Sequence, residues 1–166
     1  MAKGKGKAAA KALKGPFKKY MDKLLAILKK PNKKGRITQW EVGHYGDLTS
    51  RPGRDGMDMD HIPSKAALLK RAEAMKGRPL TRKQERQVID SGTAMAVPRR
   101  THQTESRTYG RRNSSDQITD DADDLTSAAK KDFDIYHDDM LQEGYTEEQI
   151  EATYREICAK NRELGY

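Results

Sequence analysis

The sequence predicts an α+β fold that is predominantly helical: two short strands and a helix form a small core, with further helices inserted between the strands and flanking them. Three observations carry this expectation. Apolar residues recur at helical spacing from Phe17 to Leu28. Two strand-like runs, 57–62 and 93–97, are each stopped by a proline, Pro63 and Pro98. Ser64, Thr81 and Thr146 each stand just before a segment of helical length, where a side-chain oxygen can cap free backbone N–H groups.

Residues 1–14 are low-complexity, built of Lys, Ala and Gly, and read as a basic arm, disordered or a frayed helix. Phe17, Tyr20, Met21, Leu24, Leu25 and Leu28 then form an apolar stripe with lysines opposite, ended by Pro31-Asn32. Docking on the core is the plainer use of such a stripe, and a membrane-surface helix is the alternative. Residues 31–56 read as loop, with glycines at 35, 43, 46, 53 and 56 and a short strand within 37–42. The run 57–62 is a strand carrying Asp60-His61. Ser64 caps a helix over 65–75, broken by Gly77 and Pro79. Thr81 caps a second over 82–89, Ser91-Gly92 turns the chain, and 93–97 is an apolar strand. A helix is expected after Thr101 containing His102, Ser106 and Tyr109, followed by a basic turn at 110–114. Two acidic helices, 125–141 and 147–164, close the chain, the second opened by a capping box of Thr146 and Gln149. The division that follows is 1–36 for arm and amphipathic helix, 37–115 for the core, and 116–166 for the acidic helices.

Composition narrows the function. With 34% hydrophobic and 35% charged residues over 166, the core is modest and the chain is one domain with extensions. Cys158 is the lone cysteine, so no internal disulfide or CxxC zinc site exists. No apolar run approaches the roughly 20 residues of a membrane span. Lys18, Lys19, Asp22 and Lys23 interrupt the N-terminal stretches where a signal peptide would need an apolar region. The net charge of +8 is unevenly placed: residues 1–114 hold 28 Lys and Arg against 10 Asp and Glu, residues 115–166 hold 5 against 15. A basic body of this kind attracts a polyanion, nucleic acid by counterion release or anionic lipid by the same attraction. The acidic tail either offsets that body or serves a partner.

Asp60-His61 is the chemistry-bearing pair. Asp60 offers a hard oxygen ligand and His61 a neutral imidazole, so one dipeptide can supply a metal ligand and a general base. The blocks His44-Tyr45-Gly46-Asp47-Leu48, Asp60-His61-Ile62-Pro63-Ser64-Lys65-Ala66-Ala67, Ala96-Val97-Pro98, His102-Gln103 and Ser106-Arg107-Thr108-Tyr109-Gly110 resemble the HNH, or ββα-metal, nuclease superfamily, and in particular the nuclease toxin domains at the C-termini of bacterial polymorphic toxins. The resemblance covers roughly residues 40–115 and implies a metal-dependent endonuclease hydrolysing DNA. It makes Asp60 and His102 ligands of a divalent cation, Mg²⁺ first with Mn²⁺, Ni²⁺ or Zn²⁺ as alternatives, and His61 the base that activates water. Arg99, Arg100, Arg107, Arg111 and Arg112 surround the second block and are candidates to grip phosphates. The polar residue, often Asn, that the superfamily places between its paired strands has no clear counterpart here. The connection from His61 to Thr93 is longer than a minimal hairpin and must be an inserted helical pair.

The resemblance further implies an antibacterial effector, exported with a delivery partner into the cytoplasm of a target cell, and an acidic immunity protein covering the basic cleft. Two other classes stay open: a non-catalytic basic nucleic-acid-binding module, and a membrane-active toxin acting through the N-terminal amphipathic helix. Asp58 shares a strand face with Asp60 by period two, as a solvated carboxylate or a support or alternative to the ligand. Asn113 is a candidate for a polar role beside the site. His44 reads as structural, with substrate binding as the alternative. His137, among Asp134, Asp138 and Asp139, reads as a solvated helix face, Cys158 as core and Trp40 as packing.

Overall fold

The strands expected at 57–62 and 93–97 pair in a three-stranded antiparallel sheet of order β1-β3-β2, in a computed structural model that describes the backbone of residues 3–166 and the side chains of residues 15–166. The strand expected within 37–42 forms instead at 42–44, because the chain turns at residues 39–40, where Trp40 has φ of 66°. The strands are β1 (Val42–His44), β2 (Met57–His61) and β3 (Thr93–Pro98). β3 lies in the middle and is buried on both faces from Thr93 to Val97, which is why it reads as a continuous apolar run. The register pairs Asp58 with Val97, Asp60 with Met95 and His61 with Ala94. The fold is therefore α+β with helices in the majority.

The connection between β2 and β3 is the helical pair α3 (Lys65–Lys76) and α4 (Arg82–Ser91). The Ser64 hydroxyl accepts from the Ala67 N–H, and Thr81 and Gln84 form a reciprocal capping box. Gly77 ends α3 with φ of 74°, a left-handed conformation that favours glycine. The N-terminal helix α1 (Lys3–Leu28) lies across this pair; the reading of residues 1 and 2 lies outside the described residues. Phe17, Tyr20, Met21, Leu24 and Ile27 are buried against Leu68, Ala72, Val88 and Leu164. Ile27 takes the inward position expected for Leu28, which is 38% exposed. The face that would have met a membrane surface is thus packed into protein. Among the described residues, no helix is long and apolar enough to cross a membrane.

Four further local expectations are corrected. Residues 45–50, read as loop, form α2 (Tyr45–Ser50), too short to show a period and anchored by one buried side chain, Leu48. The helix expected after Thr101 is α5 (Arg99–Glu105), which begins at Pro98 and stops before Ser106. Arg112 ends it by donating to the carbonyls of Gln103, Thr104 and Ser106, the otherwise free acceptors at and just beyond the helix end. Tyr109 therefore sits outside α5, in a 3-10 turn (Tyr109–Arg111), with Gly110 and Arg111 at φ of 60° and 67°. An unexpected helix, α6 (Ser115–Asp123), follows, capped by Ser114. The long acidic helix is two, α7 (Leu125–Asp134) and α8 (His137–Gln142), separated at Ile135-Tyr136. The last helix, α9 (Glu147–Leu164), has the expected Thr146–Gln149 capping box.

A candidate active site at the end of the second strand

β2 and α5 bring Asp58, Asp60 and His102 together. His102 Nδ1 lies 2.9 Å from Asp58 Oδ2, and His102 Nε2 lies 3.3 Å from Asp60 Oδ1. Arg99 Nε donates to the other Asp58 oxygen at 2.9 Å. Asp58 is therefore an ion-paired support for His102, where sequence favoured a solvated carboxylate. Burial works against its charge, but the bonds from His102 and Arg99 outweigh it and hold its pKa below the usual range. Burial likewise works against a charged His102, yet the bonds from Asp60 and Asp58 outweigh it and its pKa lies above the ordinary value.

The spacing of Asp60 Oδ1 and His102 Nε2 suits a divalent cation. Two neighbouring ligands of a six-coordinate ion at ~2.1 Å stand about 3 Å apart, close to the 3.3 Å observed. Asp58, bonded to the far ring nitrogen, turns Nε2 toward that position, as carboxylates behind metal-binding histidines do. No group of three or more His, Cys, Asp or Glu is gathered for a metal among the described residues.

His61 follows Asp60 and is 7% exposed. Its Nε2 lies 2.9 Å from the Ile89 carbonyl, which can only accept, so Nε2 carries the hydrogen and Nδ1 the lone pair. Nδ1 has no protein partner among the described residues. Tyr45 stacks on the ring at 4.3 Å between centroids. Burial, partly opposed by the Ile89 carbonyl, lowers the His61 pKa to about 4. The ring is neutral at pH 7, its tautomer set by the backbone of α4.

Asp60, His61 and His102 line one cleft of about 490 Å³ together with Lys65, Arg111 and Asn113. A neighbouring cleft of about 450 Å³ shares Tyr45 and Met59 with it and carries Arg54 and Arg99. Of the five arginines expected to grip phosphate, Arg111 lines the first cleft and Arg99 the second, while Arg100 is exposed outside both. Arg107 and Arg112 have protein partners: Arg107 pairs with the buried Asp121 and Asp132, and Arg112 bonds the end of α5. Both guanidinium groups are hydrogen-bonded within the protein's own structure, that of Arg107 half-buried and that of Arg112 at the exposed surface. His44 bonds the Ser91 carbonyl through Nδ1, and its other nitrogen faces Glu163. His137 sits between Asp138 and Glu147 on an exposed face.

Sequence reasoning missed Lys65, Tyr45 and Tyr136. Lys65 had a signal, standing four residues beyond His61 in the same block. Tyr136 had none, because it reaches Asp60 from 76 residues away.

Gly92 is the close approach that seats the His61 ring. A Cβ there would stand 2.9 Å from His61 Cδ2 and 3.0 Å from Leu68 Cδ1. Neither can withdraw freely, since Tyr45 and the Ile89 carbonyl hold the ring and Leu68 is 1% exposed. Gly92→Ala is expected to destabilise the fold by about 1–3 kcal/mol through overpacking, read as a lower urea midpoint. An unchanged midpoint would show that the ring has room to move.

Fold and cleft define a predominantly helical α+β protein in which a strand-end aspartate and a histidine from the following helix face each other beside a neutral, tautomer-fixed histidine. The chain is 33% identical over 168 residues to a part of the protein named Deoxyribonuclease CdiA from Dickeya dadantii (strain 3937). The alignment takes in 98% of this chain and 5% of that protein, so the chain spans a small fraction of its relative. No protein-family model matches the chain, and no solved structure matches it.

Proposed function

We propose that this chain is a metal-dependent endonuclease of the HNH, or ββα-metal, type that hydrolyses DNA phosphodiesters as the toxic part of an antibacterial effector. The observation that carries the reading is the facing pair Asp60 Oδ1 and His102 Nε2 at 3.3 Å, with His61 next in the chain and in the same cleft. The similarity to a part of a protein named a deoxyribonuclease supports the choice of DNA.

Asp60 and His102 would hold the cation, Mg²⁺ or a similar ion, with water and phosphate oxygens completing its shell. When bound, such an ion stabilises charge on the scissile phosphate and the leaving oxygen. His61 would take the proton of the attacking water at Nδ1 while its Nε2–H stays on the Ile89 carbonyl. The single negative charge of a phosphodiester nearby favours the protonated ring, and the charge of a bound cation opposes it. Asp58, steadied by Arg99, would keep His102 in its ligating orientation. Lys65 and Arg111 would hold flanking phosphates from the walls of the cleft.

The effector reading brings with it export from a bacterium, a delivery partner, arrival in the cytoplasm of a target cell, and an acidic immunity protein drawn to the basic cleft. The test is plasmid cleavage by the folded chain with Mg²⁺, Mn²⁺, Ni²⁺ or Zn²⁺ and with EDTA. Nicking that EDTA abolishes is expected. A folded chain that cuts with none of the four ions sinks the reading, and retarded bands without cutting would instead mark a non-catalytic binding module. Lys65→Ala and Arg111→Ala are each expected to reduce the slope of log K against log[salt] by about 1 for an oligonucleotide, measured by fluorescence anisotropy. An unchanged slope would remove that residue from the phosphate contacts.

A further inference from the structure

We propose that Tyr136 is a positioning residue that holds Asp60 in a single-oxygen pose, leaving Oδ1 alone to face His102 and the cation between them. The inference rests on the metal reading of that pair. The Tyr136 hydroxyl donates to Asp60 Oδ2 at 2.7 Å, while Oδ1 is the oxygen near His102. Tyr136 is fully buried and Asp60 is 6% exposed, so water is a poor substitute for either partner. Turning the carboxylate to chelate through both oxygens would take the charged acceptor away from the buried phenol and leave it only the Ser106 hydroxyl.

The phenol cannot follow a turning carboxylate. Its ring packs on Trp40 at 5.6 Å between centroids, and the Trp40 indole N–H is fixed in turn by Glu143 at 2.8 Å. The break between α7 and α8 falls at Ile135-Tyr136, so this residue leaves the helical repeat where it meets β2. The acidic C-terminal segment thereby completes a site whose other members lie before residue 114.

The experiment is Mn²⁺ binding to the whole chain, followed by electron paramagnetic resonance, for wild type, Tyr136→Phe and Trp40→Phe. Removing the hydroxyl is expected to weaken Mn²⁺ about 10-fold, as loss of a group behind a metal ligand does. Trp40→Phe loosens the seat of the phenol but keeps the hydroxyl, and its affinity is expected to fall by clearly less than that of Tyr136→Phe. Wild-type affinity in Tyr136→Phe, or an equal loss in Trp40→Phe, overturns the proposal. Infrared difference spectra of the wild type on adding Mn²⁺ need no variant: carboxylate splitting of single-oxygen ligation is expected, and that of a chelating carboxylate overturns it. A wild type that binds Mn²⁺ with this Tyr136 dependence yet cuts no DNA sinks the nuclease reading and leaves this inference standing. A wild type that binds no Mn²⁺ sinks both the metal reading and this inference.

Discussion

His61→Ala is expected to lower DNA cleavage by about 10³-fold while leaving Mn²⁺ binding intact, the middle of the range for loss of a general base. The geometry separates the two roles. His61 has one nitrogen committed to the Ile89 carbonyl and the other without a protein partner among the described residues, whereas Asp60 and His102 face each other. Asp60→Ala should therefore weaken metal binding and cutting together, and His61→Ala cutting alone. Single-turnover plasmid cleavage alongside Mn²⁺ titration distinguishes them. Equal metal loss in both variants would refute the assignment of His61 as base. Added imidazole gives a second check, since the space left between Tyr45 and Gly92 has the shape of the missing ring. Partial rescue by imidazole fits proton transfer, and rescue by EDTA-resistant conditions would argue for a different chemistry.

How much of this was legible in the sequence depends on the range of each signal. The caps at Ser64, Thr81 and Thr146 are three-residue events, and each forms as read. Asp60-His61 lies in a strand bounded by a proline, and His102 follows the next strand by a few residues, so their shared cleft follows from a short strand-strand-helix unit. The end of α5 was not legible, because it is set by Arg112 reaching back to three carbonyls, and nothing in the local apolar pattern marks it. α2 and α6 are short helices without an apolar stripe of their own. The acidic segment was read by its charge, which says how many carboxylates there are and not which are buried. Asp121, Asp132 and Tyr136 turn inward, and each acts through a residue far away in sequence: Arg107 for the first two, Asp60 for the third. Charge counting likewise placed Arg107 with the phosphate-binding arginines, because composition does not assign partners.

Arg107→Ala is expected to cost about 3–5 kcal/mol of folding stability, the loss typical when one side of a buried ion pair is removed. Arg107 Nε donates to Asp132 at 2.6 Å and Nη2 to Asp121 at 2.7 Å. These carboxylates are 3% and 4% exposed, so without the guanidinium both are left buried and uncompensated. The other Asp132 oxygen accepts the Ser64 N–H at 3.1 Å, at the N-terminus of α3, so the damage reaches the chain just beyond His61. The loss should depend on pH. Burial already pushes the Asp132 carboxyl up to about 7, against the pull of Arg107, with Asp60 and Asp121 adding to the rise. A carboxyl whose folded pKa lies above its unfolded value binds its proton more tightly in the folded state, so stability falls as pH rises between the two. Removing Arg107 takes away an opposing influence and widens that window upward. Urea unfolding of the variant should thus show a smaller deficit at pH 5, where Asp132 is protonated, than at pH 8, where it must ionise in place. A deficit below about 1 kcal/mol, the scale of an exposed pair, with no pH dependence would mean that the pairs contribute little. Arg107 would then be free to serve the phosphates for which its position in the sequence suggested it.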